Sequence, residues 1–261
     1  MILHTCTKVN VGLNVIRRRP DGYHDIETLF VPYYGYSDTI TVEPAKYLTV
    51  SIDHPDYTLW DPMDDLTVRA WRMLKADFPE LPAVYIHLEK HAPVGAGLGG
   101  GSADAAFMLR GLNDMFNLGL SAPALSSYAS RLGSDCAFFL HNRPMFATGR
   151  GEILEPFDID LSGYELRVEI PLDASGDPVS VSTKEAYSGI VPRDSWQPLP
   201  LRDALRLPME QWKGNVVNDF ETTVCPRHPE IPALIQDFYR RGAVYAAMSG
   251  SGSSVFGFFR K

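Results

Sequence analysis

The sequence predicts an α+β fold, and three observations carry that prediction. Strand-like runs stand at residues 7–15, 28–34, 39–43, 48–52, 84–89 and 255–259, two of them (7–15 and 84–89) alternating apolar and polar residues with the period of a half-buried strand. Runs with helical spacing stand at 65–75, 102–117, 121–132 and 230–241. The two kinds are mixed along the chain without regular strand–helix–strand alternation, which favours α+β over a doubly wound parallel sheet. At 261 residues the chain is one large domain or two small ones, long enough to bury a core without a metal or disulfide staple.

Each element has its local reason. Residues 1–53 read as strands, with a turn at Arg19-Pro20-Asp21-Gly22, where proline presets φ and glycine accepts positive φ. The runs 39–43 and 48–52 read as a hairpin pair. Asp65 opens a helix whose Leu66, Ala70, Met73 and Leu74 share one face, with Arg69, Arg72 and Lys75 elsewhere. A glycine-rich loop spans 95–101, and a helix follows from Ser102 to about residue 117, with Ala103 and Ala106 small enough for close packing. Ser121 is an N-cap for the next helix. Residues 144–172 return to strands, and 171–178 form a turn-rich break, a candidate seam between two lobes. Pro178, Pro192, Pro198, Pro200 and Pro208 confine 175–215 to short helices and loops. Residues 230–241 are helical with Gly242 in C-cap position. A strand at 243–248, a serine–glycine loop at 249–254 and a last strand close the chain.

Composition narrows the function. Twenty-four basic against 32 acidic residues give a net charge of −8, against a general nucleic-acid or membrane-surface binder, which would present a basic face. A small anion remains possible, because backbone N–H groups and one or two lysines suffice to hold a phosphate. Cys6, Cys136 and Cys225 lie far apart in no metal-like cluster, which predicts a reduced, cytoplasmic protein. No run of about 18 apolar residues occurs and residues 1–15 lack a charged start followed by a long apolar run, so neither a signal peptide nor a membrane span is expected.

The segment Pro93-Val94-Gly95-Ala96-Gly97-Leu98-Gly99-Gly100-Gly101-Ser102-Ala103 places five glycines between a predicted strand and a predicted helix. Glycine lets an anion approach the backbone amides, and the helix start turns its unpaired N–H groups and positive dipole end toward it. The plainer alternative is a flexible connector. Among phosphate loops, the Walker A pattern fails for want of a lysine before Ser102. Gly95, Gly97 and Gly100 fit a dinucleotide fingerprint in spacing, but two helices follow where a second strand ending in an acid is needed. The HRD and DFG triplets of protein kinases are absent.

This loop resembles the Pro-x-x-x-Gly-Leu-Gly-Gly-Ser-Ser/Ala motif of the GHMP kinases. Lys8-x-Asn10 followed by Arg19-Pro20-Asp21-Gly22-Tyr23-His24 is similar to the N-terminal signature of the branch that acts on 4-diphosphocytidyl-2-C-methyl-D-erythritol in non-mevalonate isoprenoid synthesis. Arg131-Leu132-Gly133-Ser134-Asp135-Cys136, Gly151-Glu152-Ile153-Leu154, Asn218-Asp219-Phe220-Glu221 and Met248-Ser249-Gly250-Ser251-Gly252-Ser253 resemble further blocks in the same order. The resemblance implies a two-lobed GHMP kinase fold with the active site in the cleft between lobes, here divided as 1–155 and 156–261. It implies ATP-dependent phosphorylation of the substrate's 2-hydroxyl. Another GHMP-type small-molecule kinase and a nucleotide-binding module without catalysis stay open as alternatives, with a dinucleotide oxidoreductase further behind.

The same resemblance distributes roles. Pro93, Val94, Gly95, Ala96, Gly97, Leu98, Gly99, Gly100, Gly101, Ser102 and Ala103 would cradle ATP, with Ser102 and Ala103 opening the helix where the dipole is strongest. Lys90 resembles a family residue near the nucleotide, its plainer reading being a solvated strand-end lysine. Asp65 stands where many members carry asparagine against adenine; an ionised aspartate only accepts, so it would meet the exocyclic amine. Asp135 would be the general base or orient the hydroxyl, its plainer reading a helix cap. Lys8 would neutralise charge on the phosphoryl group in transit. Asn10, Tyr23 and His24 would bind substrate, the aromatic face stacking on cytosine. Thr183 and Tyr187 fall where members place further substrate contacts, although Asp173-Ala174-Ser175-Gly176-Asp177 departs from the usual His-Pro-Gly block. Arg17, Arg18 and Arg19 read as a solvated hairpin tip that could steer a diphosphate. Mg²⁺ would accompany ATP, carried by phosphates and water with Ser102 nearby rather than by a carboxylate cage. The expected state is a monomer or weak homodimer with a small-molecule substrate and no nucleic-acid or membrane partner.

Overall fold

A computed structural model describes residues 1–54, 61–193 and 199–261. In chain order its elements are β1 (Ile2–His4), β2 (Thr7–Arg18), β3 (His24–Tyr33), β4 (Thr39–Pro44), β5 (Thr49–Asp53), α1 (Leu66–Asp77), β6 (Val84–Glu89), α2 (Gly100–Met115), α3 (Ala122–Leu132), α4 (Phe138–His141), β7 (Met145–Thr148), β8 (Ile153–Pro156), β9 (Tyr164–Glu169), α5 (Thr183–Tyr187), α6 (Leu201–Ala204), α7 (Glu221–Val224), α8 (Glu230–Arg240), β10 (Ala243–Met248) and β11 (Val255–Arg260). They form two compact units, neither continuous in sequence. One comprises Met1–Thr7, Tyr34–Val94 and Gly99–Asn142; the other comprises Lys8–Tyr33, Gly95–Leu98 and Arg143–Lys261. This grouping does not follow a single cut at residue 155: β2 forms one sheet with β3, β7 and β8 in the order β2-β3-β7-β8, and it is also bonded to residues 217–219, with Leu13 N donating to Val217 O at 2.9 Å.

The first unit holds a four-stranded sheet in the order β1-β4-β6-β5. The expected hairpin of residues 39–43 with 48–52 does not form. β6 lies between the two, antiparallel to β4 (Thr39 opposite Glu89) and parallel to β5 (Thr49 opposite Tyr85). Val84, Ile86 and Leu88 of β6 are buried, so this strand takes the centre, and the link 45–48 has none of the Asn-Gly type turns that close a two-residue hairpin. In α1 the buried face is Thr67, Val68, Ala70, Trp71 and Leu74, rotated from the expected one because Trp71 turns inward and its Nε1 donates to Pro82 O at 3.0 Å. Helix α2 is buried over most of its circumference, which its run of alanines permits. It starts at Gly100, two residues before the predicted Ser102, with Gly99 as N-cap in the left-handed region (φ 72°). A Cβ at Gly100 would lie 3.2 Å from Ala92 Cβ, so only glycine lets the helix begin there without displacing its neighbours.

The second unit adds a three-stranded sheet, β10-β11-β9. Along α8, Ile231, Ile235 and Phe238 are buried and join Phe220, Met248, Val255 and Phe259 in one core. Strand β2 is buried on both faces from Thr7 to Val15, not half-buried as its alternation suggests. Its polar positions face protein groups: Asn10 Nδ2 donates to Thr28 Oγ1 at 3.1 Å, and Asn14 Nδ2 to Val217 O at 3.2 Å. The candidate seam at 171–178 lies wholly inside this unit, a tight turn in which Asp173 N donates to Asp177 O at 2.8 Å. The proline-rich stretch contains α5, α6 and a short 3₁₀ turn at Met209–Gln211, as its composition predicts; Pro198 lies outside the described residues.

Candidate active site

In the second unit, β2 carries Lys8 and Asn10 on one side of the strand, two residues apart. Both are buried. The Lys8 ammonium donates to Asn10 Oδ1 at 2.5 Å and to Gly97 O at 3.0 Å, and it lies 5.2 Å from the centre of the Phe30 ring. The loop segment Gly95–Leu98 is itself held by the serine–glycine loop at 249–254. Ser249 Oγ donates to Gly97 O at 3.3 Å and accepts from Asn10 N at 3.1 Å; Ser254 Oγ donates to Ala96 O at 2.6 Å. Gly97 takes φ 77°, and any Cβ there would collide with Ser249 O. Its glycine is required by close backbone approach as much as by the turn.

The aromatic residues of the predicted substrate group divide. His24, at the start of β3, stacks on Tyr187 with ring centres 4.6 Å apart and planes 18° from parallel. Tyr187, at the end of α5, meets the Phe220 ring edge-on at 4.7 Å. Burial and the Arg18 charge hold the His24 imidazole below its usual range, so at neutral pH it is an uncharged ring with one donor and one acceptor nitrogen. Thr183, the first residue of α5, has its hydroxyl 3.4 Å from Ser251 Oγ. Tyr23 stands apart, 56% exposed, with the Arg150 guanidinium 4.9 Å from its ring centre. Arg17 and Arg19 form the solvated hairpin tip, and each is paired with Asp25.

In the first unit, the other half of the glycine loop enters α2. Gly99 supplies no capping side chain, and the first turn of this 16-residue helix carries no acid. Its positive end is therefore open to an anion. Ser102 is the third helical residue rather than the first, and nearby the buried Cys136 thiol is pushed up to about 12 by burial. Asp135 is half-buried in the turn that leads from α3 to α4; the N-cap of α4 is Ala137, so Asp135 is not a helix cap. Asp65 is: its Oδ1 accepts from Thr67 N at 2.8 Å and Thr67 Oγ1 at 2.6 Å, holding the start of α1. Lys90 is not a solvated strand-end lysine. It is buried between Asp38 and Asp104, donating to an oxygen of each, the Asp104 Oδ2 distance being 2.7 Å. Burial alone would lower the ammonium, but the two carboxylates outweigh it and hold it above its ordinary value. Burial lifts Asp104 to about 7. A Cβ at Gly100 would lie 3.6 Å from Lys90 Nζ, so this cluster sits under the first turn of α2. No group of three or more His, Cys, Asp or Glu able to hold a metal occurs among the described residues.

Sequence reasoning left several partners of these residues without a role: Asp38, Asp104, Arg150, Ser249, Asn218 and Phe220. Ser249 had a legible signal, since it opens the Ser249-Gly250-Ser251-Gly252 run, where small residues invite close approach of another backbone. Asp38 had none, because it acts on Lys90 from 52 residues away.

The GHMP kinases N terminal domain matches residues 65–143, and the GHMP kinases C terminal domain matches 203–261. The chain is 44% identical, over 99% of its length and 92% of the relative's, to 4-diphosphocytidyl-2-C-methyl-D-erythritol kinase of Bacteroides fragilis. It is 46% identical, over 100% and 92%, to the enzyme of the same name from Parabacteroides distasonis. A crystal structure of 4-(cytidine 5'-diphospho)-2C-methyl-D-erythritol kinase superposes with a TM-score of 0.78 at 32% identity, over 98% of this chain and 89% of that one. Mevalonate kinase of Methanococcus jannaschii shares the fold, with a TM-score of 0.66 at 10% identity over 100% and 90% of the two chains.

Proposed function

The chain belongs to the 4-diphosphocytidyl-2-C-methyl-D-erythritol kinase family of the GHMP kinases, and we propose that it transfers the γ-phosphoryl group of ATP to the 2-hydroxyl of that substrate. The substrate oxygen forms the new bond to phosphorus as the bond to the β-phosphate oxygen breaks. ADP leaves, and the hydroxyl proton passes to a base. The observation that carries the reading is the uncapped N-terminus of α2 at the end of the glycine loop, an opening suited to phosphate oxygens.

Within this reading the helix start at Gly99, Gly100, Gly101, Ser102 and Ala103 binds the phosphates. Lys8, held buried by Asn10 and Gly97, supplies positive charge to the phosphoryl group in transit. A charge fixed before the reaction needs no reorganisation during it. Asp135 accepts or orients the hydroxyl proton. The neutral His24 imidazole and the Tyr23 ring read the cytosine, while Thr183 and Tyr187 complete the substrate contacts. Asp65 spends one carboxylate oxygen on capping α1, and its role toward the adenine amine would fall to the other. Lys90 supports the phosphate site from beneath α2 rather than by reaching a phosphate through water. Mg²⁺ would arrive with the phosphates, where it neutralises their charge; the Ser102 hydroxyl, in a first turn free of acids, is the protein oxygen we assign beside it. The protein acts in the cytoplasm as a monomer or weak homodimer.

The test is ADP release with Mg-ATP across a panel of the diphosphocytidyl substrate, mevalonate, homoserine and free methylerythritol. Turnover with the first alone supports the proposal; turnover only with another alcohol overturns it. Asp135→Asn should lower kcat by roughly 10²–10⁴-fold in a protein with an unchanged unfolding transition. Near-native turnover in that folded variant would remove Asp135 from the mechanism.

A further inference from the structure

The Asn218-Asp219-Phe220-Glu221 segment touches both halves of the second unit's site without any assigned part in it. It runs beside β2, with Leu13 N donating to Val217 O at 2.9 Å and Asp219 N donating to Leu13 O at 2.8 Å. Asp219 is pinned further. Its Oδ2 accepts from Val15 N at 2.8 Å, and its carboxylate takes both oxygens' share of the buried Arg193 guanidinium, with Nε 2.8 Å from each. The segment is thus fixed to the strand that carries Lys8 and Asn10.

From this fixed position Asn218 reaches across to the serine–glycine loop. Its Nδ2 donates to Met248 O at 2.9 Å and to Gly250 O at 2.8 Å, the carbonyls on either side of Ser249, while its Oδ1 accepts from Phe220 N at 3.0 Å. The carboxamide therefore has both donors and its acceptor engaged and is 2% exposed. Ser249 is the residue whose hydroxyl joins Asn10 N to Gly97 O, and Gly97 O accepts from the Lys8 ammonium. One buried amide thus brackets Ser249, whose own N–H donates to Ser254 O at 2.8 Å, and Ser249 in turn bonds the carbonyl that accepts from Lys8. Two residues on, Phe220 backs Tyr187, which stacks on His24.

We infer that Asn218 and Phe220 are positioning residues with separable effects. Asn218 sets the Lys8 ammonium through Ser249 and Gly97, and so governs the phosphoryl-transfer step. Phe220 sets the Tyr187–His24 stack, and so governs recognition of the cytidine end of the acceptor. The inference rests on the kinase reading proposed above. Misplacing a charge by a fraction of an ångström costs transition-state stabilisation more than binding, whereas loosening an aromatic stack costs binding.

The experiment measures kcat and both KM values for Asn218→Ala, Ser249→Ala, the double variant, and Phe220→Leu, with the unfolding midpoint of each. Asn218→Ala should lower kcat roughly 10–100-fold with KM for the diphosphocytidyl substrate within about threefold. Ser249→Ala should lower kcat in the same sense. The double variant should be little worse than the more impaired single, because the two act along one path. Phe220→Leu should raise KM for the cytidine substrate roughly 5–20-fold while kcat and KM for ATP stay within about twofold. Additive losses in the Asn218/Ser249 pair, or equal changes in all constants for Asn218→Ala and Phe220→Leu, would overturn the inference. If Asn218→Ala does not fold, Ser249→Ala, which removes only a hydroxyl, decides alone: unchanged kcat overturns it. Wild-type protein in the same assay separates the claims, since failure of wild type to phosphorylate the substrate refutes the kinase reading, whereas an active wild type with an unaffected Ser249→Ala refutes only the positioning.

Discussion

The two halves of the glycine loop use the same residue for opposite ends. In residues 95–98 the backbone is closed onto the protein: Ala96 O and Gly97 O accept from Ser254, Lys8 and Ser249, and Gly97 permits an approach to Ser249 that any side chain would block. From Gly99 onward the backbone is left open, with an exposed Gly101 and no cap on α2. Gly97 is glycine so that protein can pack against it, and so is Gly100, where a Cβ would lie 3.2 Å from Ala92 Cβ; the exposed Gly101 has no such neighbour and leaves room for a ligand. Glycine content alone therefore does not locate a phosphate site. What surrounds each glycine does.

The sharpest way to break this contrast is substitution on the closed side. Gly97→Ala should lower unfolding free energy by roughly 2–5 kcal/mol, through positive-φ strain plus collision with a backbone atom that cannot move aside. Urea denaturation would show it, and native stability would mean that the two loops do not hold one another. Lys8→Met comes next. It removes the charge that the closed half positions and should lower kcat by roughly 10²–10³-fold with a smaller change in KM for ATP; loss confined to KM would mean that Lys8 only binds nucleotide. On the open side, Gly101→Ala meets nothing closer than Leu66 Cδ1 at 3.7 Å. It should leave stability within about 1 kcal/mol, because alanine suits a helix, and raise KM for ATP roughly tenfold by crowding the phosphates. A destabilised Gly101→Ala with unchanged KM would reverse the assignment of the two halves. A further, pH-dependent effect concerns the support behind the closed half. Burial lifts Glu221, whose Oε1 accepts from Met248 N at 2.9 Å, to about 7 from an ordinary 4.5. The unfolded chain releases this proton first, so stability is lost as pH rises through 7. Glu221→Gln keeps an acceptor without the charge. It should be more stable than wild type by roughly 1–3 kcal/mol at pH 8, with the gain shrinking toward pH 5. An equal difference at both pH values would place the effect elsewhere than in ionisation.

What was legible in the sequence was local. The Asp65 and Ser121 caps and Gly242 after α8 follow from interactions within one turn and stand where the pattern puts them, and the alanine-rich helix behind the glycine loop is present but starts two residues before Ser102. What was not legible depended on distant chain. The strands at 39–43 and 48–52 look like partners until β6 is known to bury both edges between them. The polar residues of β2 look solvent-facing until Thr28 and Val217 are brought to them. Lys90 looks like a surface lysine until Asp38 and Asp104 enclose it. The ordered motifs identified the family, but the block at 218–221 could be seen only as a block. Its work lies in hydrogen bonds to Met248 and Gly250, 30 and 32 residues away.

The most direct test of the division within the glycine loop is to follow its backbone amides by NMR while a non-hydrolysable Mg-ATP analogue is titrated in. The amides of Gly100, Gly101 and Ser102 should shift strongly and saturably, and those of Ala96 and Gly97, enclosed by the 249–254 loop, should move little. Dominant shifts at Ala96 and Gly97 with an unmoved helix start would contradict the account.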